Sequence, residues 1–577
     1  MVYLSYNEEY ELWLKKAVKD ADLTAELESI AGNDAEIKDR FWRSLEFGTG
    51  GLRGVIGAGT NRMNIYTVAQ ATQGLADYLN ASFEEPSVAI GYDSRIKSDV
   101  FAEAAAGVLA ANGIKVYMYT ELRPTPMVSW AVRRLHCDSG IVITASHNPS
   151  KYNGYKCYDK RGYQMTDEAA AETLSYIRKT DIFDGVKMMD FEDALAEDMV
   201  DFIEDWAEFE FYNEILKTSI FDDAEAKDKL KILYTPLNGT GNKPVRHILK
   251  RAGFKNVKVV PAQEKPDGTF PTCPFPNPEI RQVFEEGLEL IKNEGYDADL
   301  FIATDPDADR IGIAVKDEGE YKLMTGNEVG CLLADYLLSV RKAKGTLPKN
   351  PVVVKTIVTT ELITAITKKY GGEIADLLTG FKYIGELITG LEENGESDRY
   401  VLGLEESYGY LVGTHVRDKD SVVSAMQVAE MAAYYKKSGK TLWARMQELY
   451  SEFGMYLNSL LNFGFEGADG MAKMLKMMDD MRTNAPAEIG GMKVIKTADY
   501  QTHKVVDVLT GEMSETGLPT SNVLSFSMEN GNKVIVRPSG TEPKIKVYIT
   551  AHCDNRVDAE ALSEKIGDDM KKIMGIA

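Results

Sequence analysis

The chain has 577 residues, too many for a single hydrophobic core, so about three to four domains are expected. With 44% hydrophobic and 27% charged residues, each domain can fill a core without disulfides or structural metals. A net charge of −23 excludes nucleic acid and anionic membranes as natural partners, and an anionic small molecule would need a local pocket of Arg, Lys and backbone N–H groups.

The first residues, Met1 to Lys16, mix Glu8, Glu9 and Glu11 with aromatics and lack the pattern of a signal peptide. No run of about 18 apolar residues follows anywhere. The five cysteines are scattered with no C-x-x-C pair, as in reduced thiols of a cytosol, so a cytoplasmic protein is expected. Ser87–Tyr92 reads as a strand, Asp99–Asn112 as a helix and Ile114–Tyr119 as the next strand. The rhythm returns with strand Ile232–Thr235, helix Lys243–Ala252 and strand Val257–Pro261. It returns again with strand Val352–Thr356, helix Glu361–Tyr370 and strand Tyr400–Gly403. From about Met455 the sequence reads as Met-rich helix, then strands at Val523–Met528, Lys533–Val536 and Lys544–Thr550, then a helix. Met471, Met474, Met477, Met478 and Met481 fall at helical spacing and read as core. The fold class is α/β: three serial α/β domains with mixed, mostly parallel sheets (1–205, 206–322 and 323–454) and a C-terminal α+β domain (455–577).

Three strands run straight into polar loops: Gly140–Thr144 into Ser146, Leu300–Thr304 into Asp305, and Tyr400–Gly403 into Glu405. Ligands of open α/β sheets bind beyond the carboxyl ends of strands. Asp305, Asp307 and Asp309 alternate, so their carboxylates project to one side and suit Mg²⁺. An EF-hand is excluded, since Arg310 stands where its loop needs Gly. A solvated acidic turn, or an aspartyl-phosphate enzyme with Asp305 as nucleophile, competes. In Thr144-Ala145-Ser146-His147-Asn148-Pro149, Ser146 is a candidate nucleophile with His147 beside it and Lys156 available to phosphate charge. The same residues also read as a helix cap. Arg537-Pro538-Ser539-Gly540-Thr541 offers a guanidinium fork, hydroxyls and backbone donors to a phosphate, or forms a simple turn. Glu405 and Ser407 suit vicinal sugar hydroxyls, and Arg417 and Lys419 follow as possible phosphate contacts. Phe47-Gly48-Thr49-Gly50-Gly51-Leu52-Arg53-Gly54 allows close backbone approach, with Thr49 and Arg53 as donors, or serves as a hinge.

Taken in chain order, from Phe47–Gly54 through the Ser146, Asp305 and Glu405 loops to Arg537–Thr541, the five segments resemble the α-D-phosphohexomutase superfamily over nearly the whole chain. Phe47 to Arg53, Phe270-Pro271-Thr272, Pro276-Asn277-Pro278-Glu279 and Thr379-Gly380-Phe381-Lys382 resemble its phosphoglucomutase/phosphopentomutase branch. The sequence departs from many relatives at Leu404, where they carry Gly.

The resemblance implies a heart-shaped protein of four domains around a central cleft. It implies a phosphoserine at Ser146, with Ser146, Asp305, Asp307 and Asp309 holding Mg²⁺ and Arg310 stabilising the transferring phosphoryl group. His147 or Lys156 would do acid/base work. Thr49, Arg53, Thr379, Gly380, Lys382, Glu405, Ser407, Arg417, Lys419, Arg537, Ser539, Gly540 and Thr541 would bind substrate. The implied reaction moves phosphate between C1 and C6 of glucose through glucose 1,6-bisphosphate. Mannose and pentose phosphates are alternatives on the same scaffold. A non-enzymatic sugar-phosphate-binding protein is the remaining alternative. Partners are expected to be small sugar phosphates, with no nucleic acid, membrane or obligate protein partner.

Overall fold

The computed structural model describes residues 4–48, 51–465, 470–539 and 544–576. By internal packing the chain forms two compact units. One comprises Met1–Met324, Ile384–Tyr400 and Tyr408–Ser438; the other comprises Thr325–Tyr383, Val401–Ser407 and Gly439–Ala577. Thr49, Gly540 and Thr541 lie outside the described residues.

In the first unit, three short helices, Tyr6–Lys16, Ala21–Ser29 and Asp34–Phe41, precede the first sheet. Trp13, Leu27 and Phe41 close a small core of their own there. The first sheet holds β1 (Gly51–Val55), β2 (Ser87–Tyr92), β3 (Lys115–Met118), β4 (Ser139–Ile143), β5 (Tyr152–Asp159) and β6 (Val200–Phe202), in the order β1-β5-β4-β2-β3-β6. Strands β4, β2, β3 and β6 run parallel, and β5 is antiparallel to both neighbours. Strands β2 and β4 are almost wholly apolar, as strands covered on both faces must be. Helices Ile65–Ser82 and Ser98–Ala111 supply much of the cover.

The second sheet holds β7 (Ile232–Thr235), β8 (Val257–Val259), β9 (Leu300–Thr304), β10 (Ile311–Asp317) and β11 (Glu320–Met324), in the order β11-β10-β9-β7-β8. Strand β8 ends earlier than the sequence suggests, because Pro261 opens a short helix, Pro261–Glu264. Thr304 pairs with Ile311, so residues 305–310 form the connection of a β9–β10 hairpin.

In the second unit, β12 (Val352–Thr356) lies between β13 (Glu373–Leu377) and β14 (Tyr400–Glu405). The C-terminal domain departs from expectation at its start. Met455–Gly464 is a ten-residue strand, not a helix, paired antiparallel along its length with Lys544–Cys553. Its signal is alternation: Leu461 and Phe463 pack on the core while Leu460 is exposed. The Met-rich helix is Gly470–Thr483, and Met474, Met477, Met478 and Met481 are buried as expected. Arg537 lies near the end of strand Lys533–Pro538, which pairs antiparallel with Lys544–Cys553, and Ser539 N–H donates to Lys544 O at 2.7 Å.

A charge cluster around one buried lysine ties this domain to β12. Lys355, fully buried, lies 2.5 Å from Asp376 and 3.4 Å from Glu361, which also meets Lys533 at 3.1 Å. Burial pushes the Glu361 carboxyl up, but Lys355 and Lys533 outweigh it and hold it at about 2. A carboxyl depressed in the folded state stabilises above its unfolded value and loses that stabilisation as pH falls towards the folded one. Glu361→Gln is therefore expected to destabilise the second unit by about 2 kcal/mol between about pH 8 and pH 5. The gap to the parent should narrow below about pH 4.5, as thermal unfolding at stepped pH would show. A gap independent of pH down to about pH 3 would contradict the ion-pair account.

Candidate active site

The first unit brings together the loops after β4 and β9. Ser146 is buried and sits in the left-handed region at φ +52°, a costly conformation for a residue with a Cβ. Its Oγ–H donates to Asp305 Oδ2 at 2.9 Å, and His147 Nδ1 lies 3.1 Å from Ser146 Oγ. Asp305 Oδ1 accepts the backbone N–H groups of Asp309 (3.1 Å) and Arg310 (3.0 Å). This carboxylate therefore shapes the hairpin loop as well as facing Ser146.

Asp305, Asp307 and Asp309 are all buried, and each offers an oxygen within 4.8 Å of the others. Thr125 Oγ1 donates to Asp307 Oδ2 at 2.8 Å, and Lys156 Nζ meets the same oxygen at 2.8 Å. Asp309 Oδ2 lies 3.2 Å from Lys156 and 3.3 Å from Lys419. The second oxygens, Asp307 Oδ1 and Asp309 Oδ1, are buried with no hydrogen-bond partner. Burial, then Asp307 and Asp309, push the Asp305 carboxyl well above the carboxylate range. Burial raises Asp307 too, but Lys156 and then hydrogen bonds, among them that of Thr125, bring it below that range. Three packed carboxylates with two unsatisfied oxygens fit a hard divalent cation bound through oxygen.

The surrounding cations are arranged by the sheets. Register puts Arg53 opposite Gly154 and Lys156 opposite Val142, beside the Ser146 loop. Burial depresses Lys156, but Asp307 and Asp309 outweigh it, so it remains an ammonium and is unsuited to act as a base. Burial, then Arg310 and Arg53, drive the His147 imidazole down to about 2, so it is neutral near pH 7. Arg310 is held by Glu279 at 2.8 Å. Arg417, expected to meet phosphate, is instead fully buried. Its guanidinium is spent on Thr389 Oγ1 (3.0 Å), the carbonyls of Thr414 and Val416, and Glu392, so it braces the loop that carries Lys419.

Within the second unit, Gly380 N–H donates to Glu405 Oε1 at 2.9 Å, joining the Thr379–Lys382 and Glu405–Ser407 segments. Tyr548, pushed up to about 12 by burial and then by Glu406, is hydrogen-bonded to Arg537.

Sequence reasoning missed Thr125, Asp93 and Arg95. Asp93 and Arg95 follow β2 as Ser146 follows β4, so the strand-end rule applied to every parallel strand finds them.

Fold and site define a class: a multidomain α/β enzyme in which a buried serine hydroxyl faces a loop of three carboxylates that could hold a divalent cation. Residues 44–182, 210–319 and 325–453 match phosphoglucomutase/phosphomannomutase alpha/beta/alpha domains I, II and III, and 492–565 match the C-terminal domain. A phosphoglucomutase of Staphylococcus epidermidis is 36% identical over 530 residues, 91% of this chain and 93% of that one. One from Staphylococcus aureus is 34% identical over 557 residues, 96% and 97% of the two chains. The open form of parafusin, a Paramecium phosphoglucomutase, superposes with a TM-score of 0.68 at 18% identity, covering 93% of this chain and 96% of that one. A phosphoglucomutase/phosphomannomutase family protein of Burkholderia thailandensis gives 0.66 at 18% identity, covering 91% and 97%. The chain belongs to the phosphoglucomutase/phosphomannomutase family, and so to the phosphohexomutases, which are isomerases.

Proposed function

We propose that this chain is a phosphoglucomutase that interconverts glucose 1-phosphate and glucose 6-phosphate, with Ser146 as the phosphoryl carrier. The observation that carries the reading is the Ser146 hydroxyl 2.9 Å from Asp305 in the three-carboxylate loop. The names of the Staphylococcus relatives favour glucose.

Phospho-Ser146 gives its phosphoryl group to a free hydroxyl of the sugar monophosphate. The P–Oγ bond breaks as the sugar O–P bond forms, the proton of the sugar hydroxyl passes to Ser146 Oγ, and the product is glucose 1,6-bisphosphate, which also serves as activator. The other phosphate then returns to Ser146. A Mg²⁺ held by Asp305, Asp307, Asp309 and Ser146 would supply charge neutralisation to the transferring phosphoryl oxygens. Lys156, Lys419, Arg53 and Arg310 add positive charge around the Ser146 and Asp305 loops. The neutral imidazole of His147, its Nδ1 3.1 Å from Ser146 Oγ, is placed to orient that oxygen for transfer. Glu405, Ser407, Thr379, Gly380 and Lys382 are assigned to the sugar, and Arg537, Ser539, Gly540, Thr541 and Thr49 to substrate phosphate and sugar, on the sequence motifs. Asp305 as nucleophile is disfavoured, because one oxygen is engaged by two backbone N–H groups and the other by Ser146.

Steady-state assays with glucose, mannose and ribose 1-phosphates, each primed with its own bisphosphate, test the substrate. Glucose 1-phosphate should exceed both others in kcat/KM by about tenfold or more. A preference for mannose or ribose 1-phosphate would overturn the assignment.

A further inference from the structure

Arg95 has no part in the proposed chemistry, yet its side chain is aimed into the loop that carries Ser146. The guanidinium is buried. Nη2 donates to Ser146 O at 2.6 Å and to Asn148 O; Nη1 donates to Pro149 O and Tyr152 O, each at 2.9 Å. Four carbonyls from one short stretch thus converge on one planar, permanently charged group. A lysine ammonium, a single point with three donors, has no such fork.

Asp93 sets this arrangement. Its Oδ2 lies 3.3 Å from Arg95 Nε and accepts the Thr144 hydroxyl at 2.6 Å. Because Thr144 Oγ1 gives its proton to Asp93, its lone pair is free to accept Ser146 N–H, at 2.8 Å. The other oxygen, Oδ1, accepts Arg95 N–H at 2.9 Å and the Ser98 hydroxyl at 2.8 Å. Ser146 is therefore held at its N–H through Thr144 and at its C=O by Arg95, which fixes a left-handed backbone that the chain would otherwise leave.

The second sheet's domain roofs the assembly. The Phe270 ring, almost fully buried, lies 5.1 Å from the Arg95 guanidinium carbon. A Cβ at Gly268 would fall 2.5 Å from Ile96 N and 2.7 Å from Ser94 O, so this backbone packs directly on the Arg95 turn. Phe270-Pro271-Thr272, read from sequence only as a mark of the branch, thereby acquires a physical role.

We propose that Arg95, oriented by Asp93 and roofed by Phe270, is the positioning residue that fixes Ser146 Oγ for phosphoryl transfer; this rests on the reading of Ser146 as the phosphoryl carrier. Such a residue acts on the geometry of transfer and not on substrate affinity. Arg95→Gln should lower kcat about 100-fold or more, the cost of a misplacement of about 1 Å, with KM for glucose 1-phosphate shifted less than about threefold. Amide deuterium uptake should rise in the peptide spanning 145–152 and stay at the parent level in β2, β3 and β6. Arg95→Lys should recover only part of kcat. Phe270→Leu should show the same pattern at smaller amplitude. The double variant Asp93→Asn/Arg95→Gln removes the stranded buried carboxylate, and gives the answer should Arg95→Gln fail to fold. Unchanged loop exchange, whatever happens to kcat, would overturn the proposal, as would a rise spread evenly over the whole first sheet. Phosphopeptide mapping of the parent protein tests the underlying reading separately: label absent from Ser146 would sink that reading, while loop exchange would still decide what Arg95 holds.

Discussion

Replacing Ser146 with alanine should lower glucose 1-phosphate turnover by at least about 10⁴-fold, because the atom that carries the phosphoryl group is gone and no neighbour can substitute. Asp305 is engaged by its own loop and would lose only one donor. The loop itself should persist. Its carbonyls remain on Arg95 and its 146 N–H on Thr144, so the unfolding temperature should stay near that of the parent. Sugar-phosphate affinity, measured by calorimetry, should fall little. Loss of turnover with retained binding separates a missing nucleophile from a disrupted fold, and turnover near the parent level would refute the assignment.

The second large effect concerns the cation. Chelation should abolish turnover, and Mg²⁺ should restore it. It should also lower the unfolding temperature, since a bound ion stabilises the state it binds. The carboxylates explain why. Asp305, Asp307 and Asp309 sit buried within reach of one another, and two of their oxygens have no hydrogen-bond partner. Asp307→Asn should raise the Mg²⁺ concentration for half-maximal activity about 10- to 100-fold, because it removes one charged ligand and the shorter of the two ion pairs of Lys156. Full activity in thoroughly chelated protein would contradict this account.

The fold was legible wherever periodicity was strong. Ser87–Tyr92, Ile232–Thr235 and Val352–Thr356 are strands with the expected bounds, since buried parallel strands are short apolar runs between polar loops. The strand Met455–Gly464 was not, because Leu457, Leu460 and Leu461 also fall at helical spacing, beside a Met-rich segment. At the site, spacing alone marked the three aspartates, and one hairpin connection explains their alternation. Thr125 was not legible, because it reaches Asp307 across the fold and a single sequence records no such distance; Arg95 was, through its place at the end of β2, but its partners were not. Arg417 misled for the opposite reason. An arginine beside a phosphate-type motif looks like a ligand, and only packing shows its guanidinium turned onto Thr389 and Glu392.

The central claim is that the covalent phosphoryl group resides on Ser146. Wild-type protein incubated with glucose 1,6-bisphosphate and Mg²⁺, then digested and mapped by mass spectrometry, tests it most directly. The account predicts one phosphoryl group on the peptide containing Ser146, stable to acid and to hydroxylamine and discharged by added glucose 1-phosphate. A hydroxylamine-sensitive acyl phosphate on the peptide containing Asp305, or no covalent phosphate at all, would contradict it.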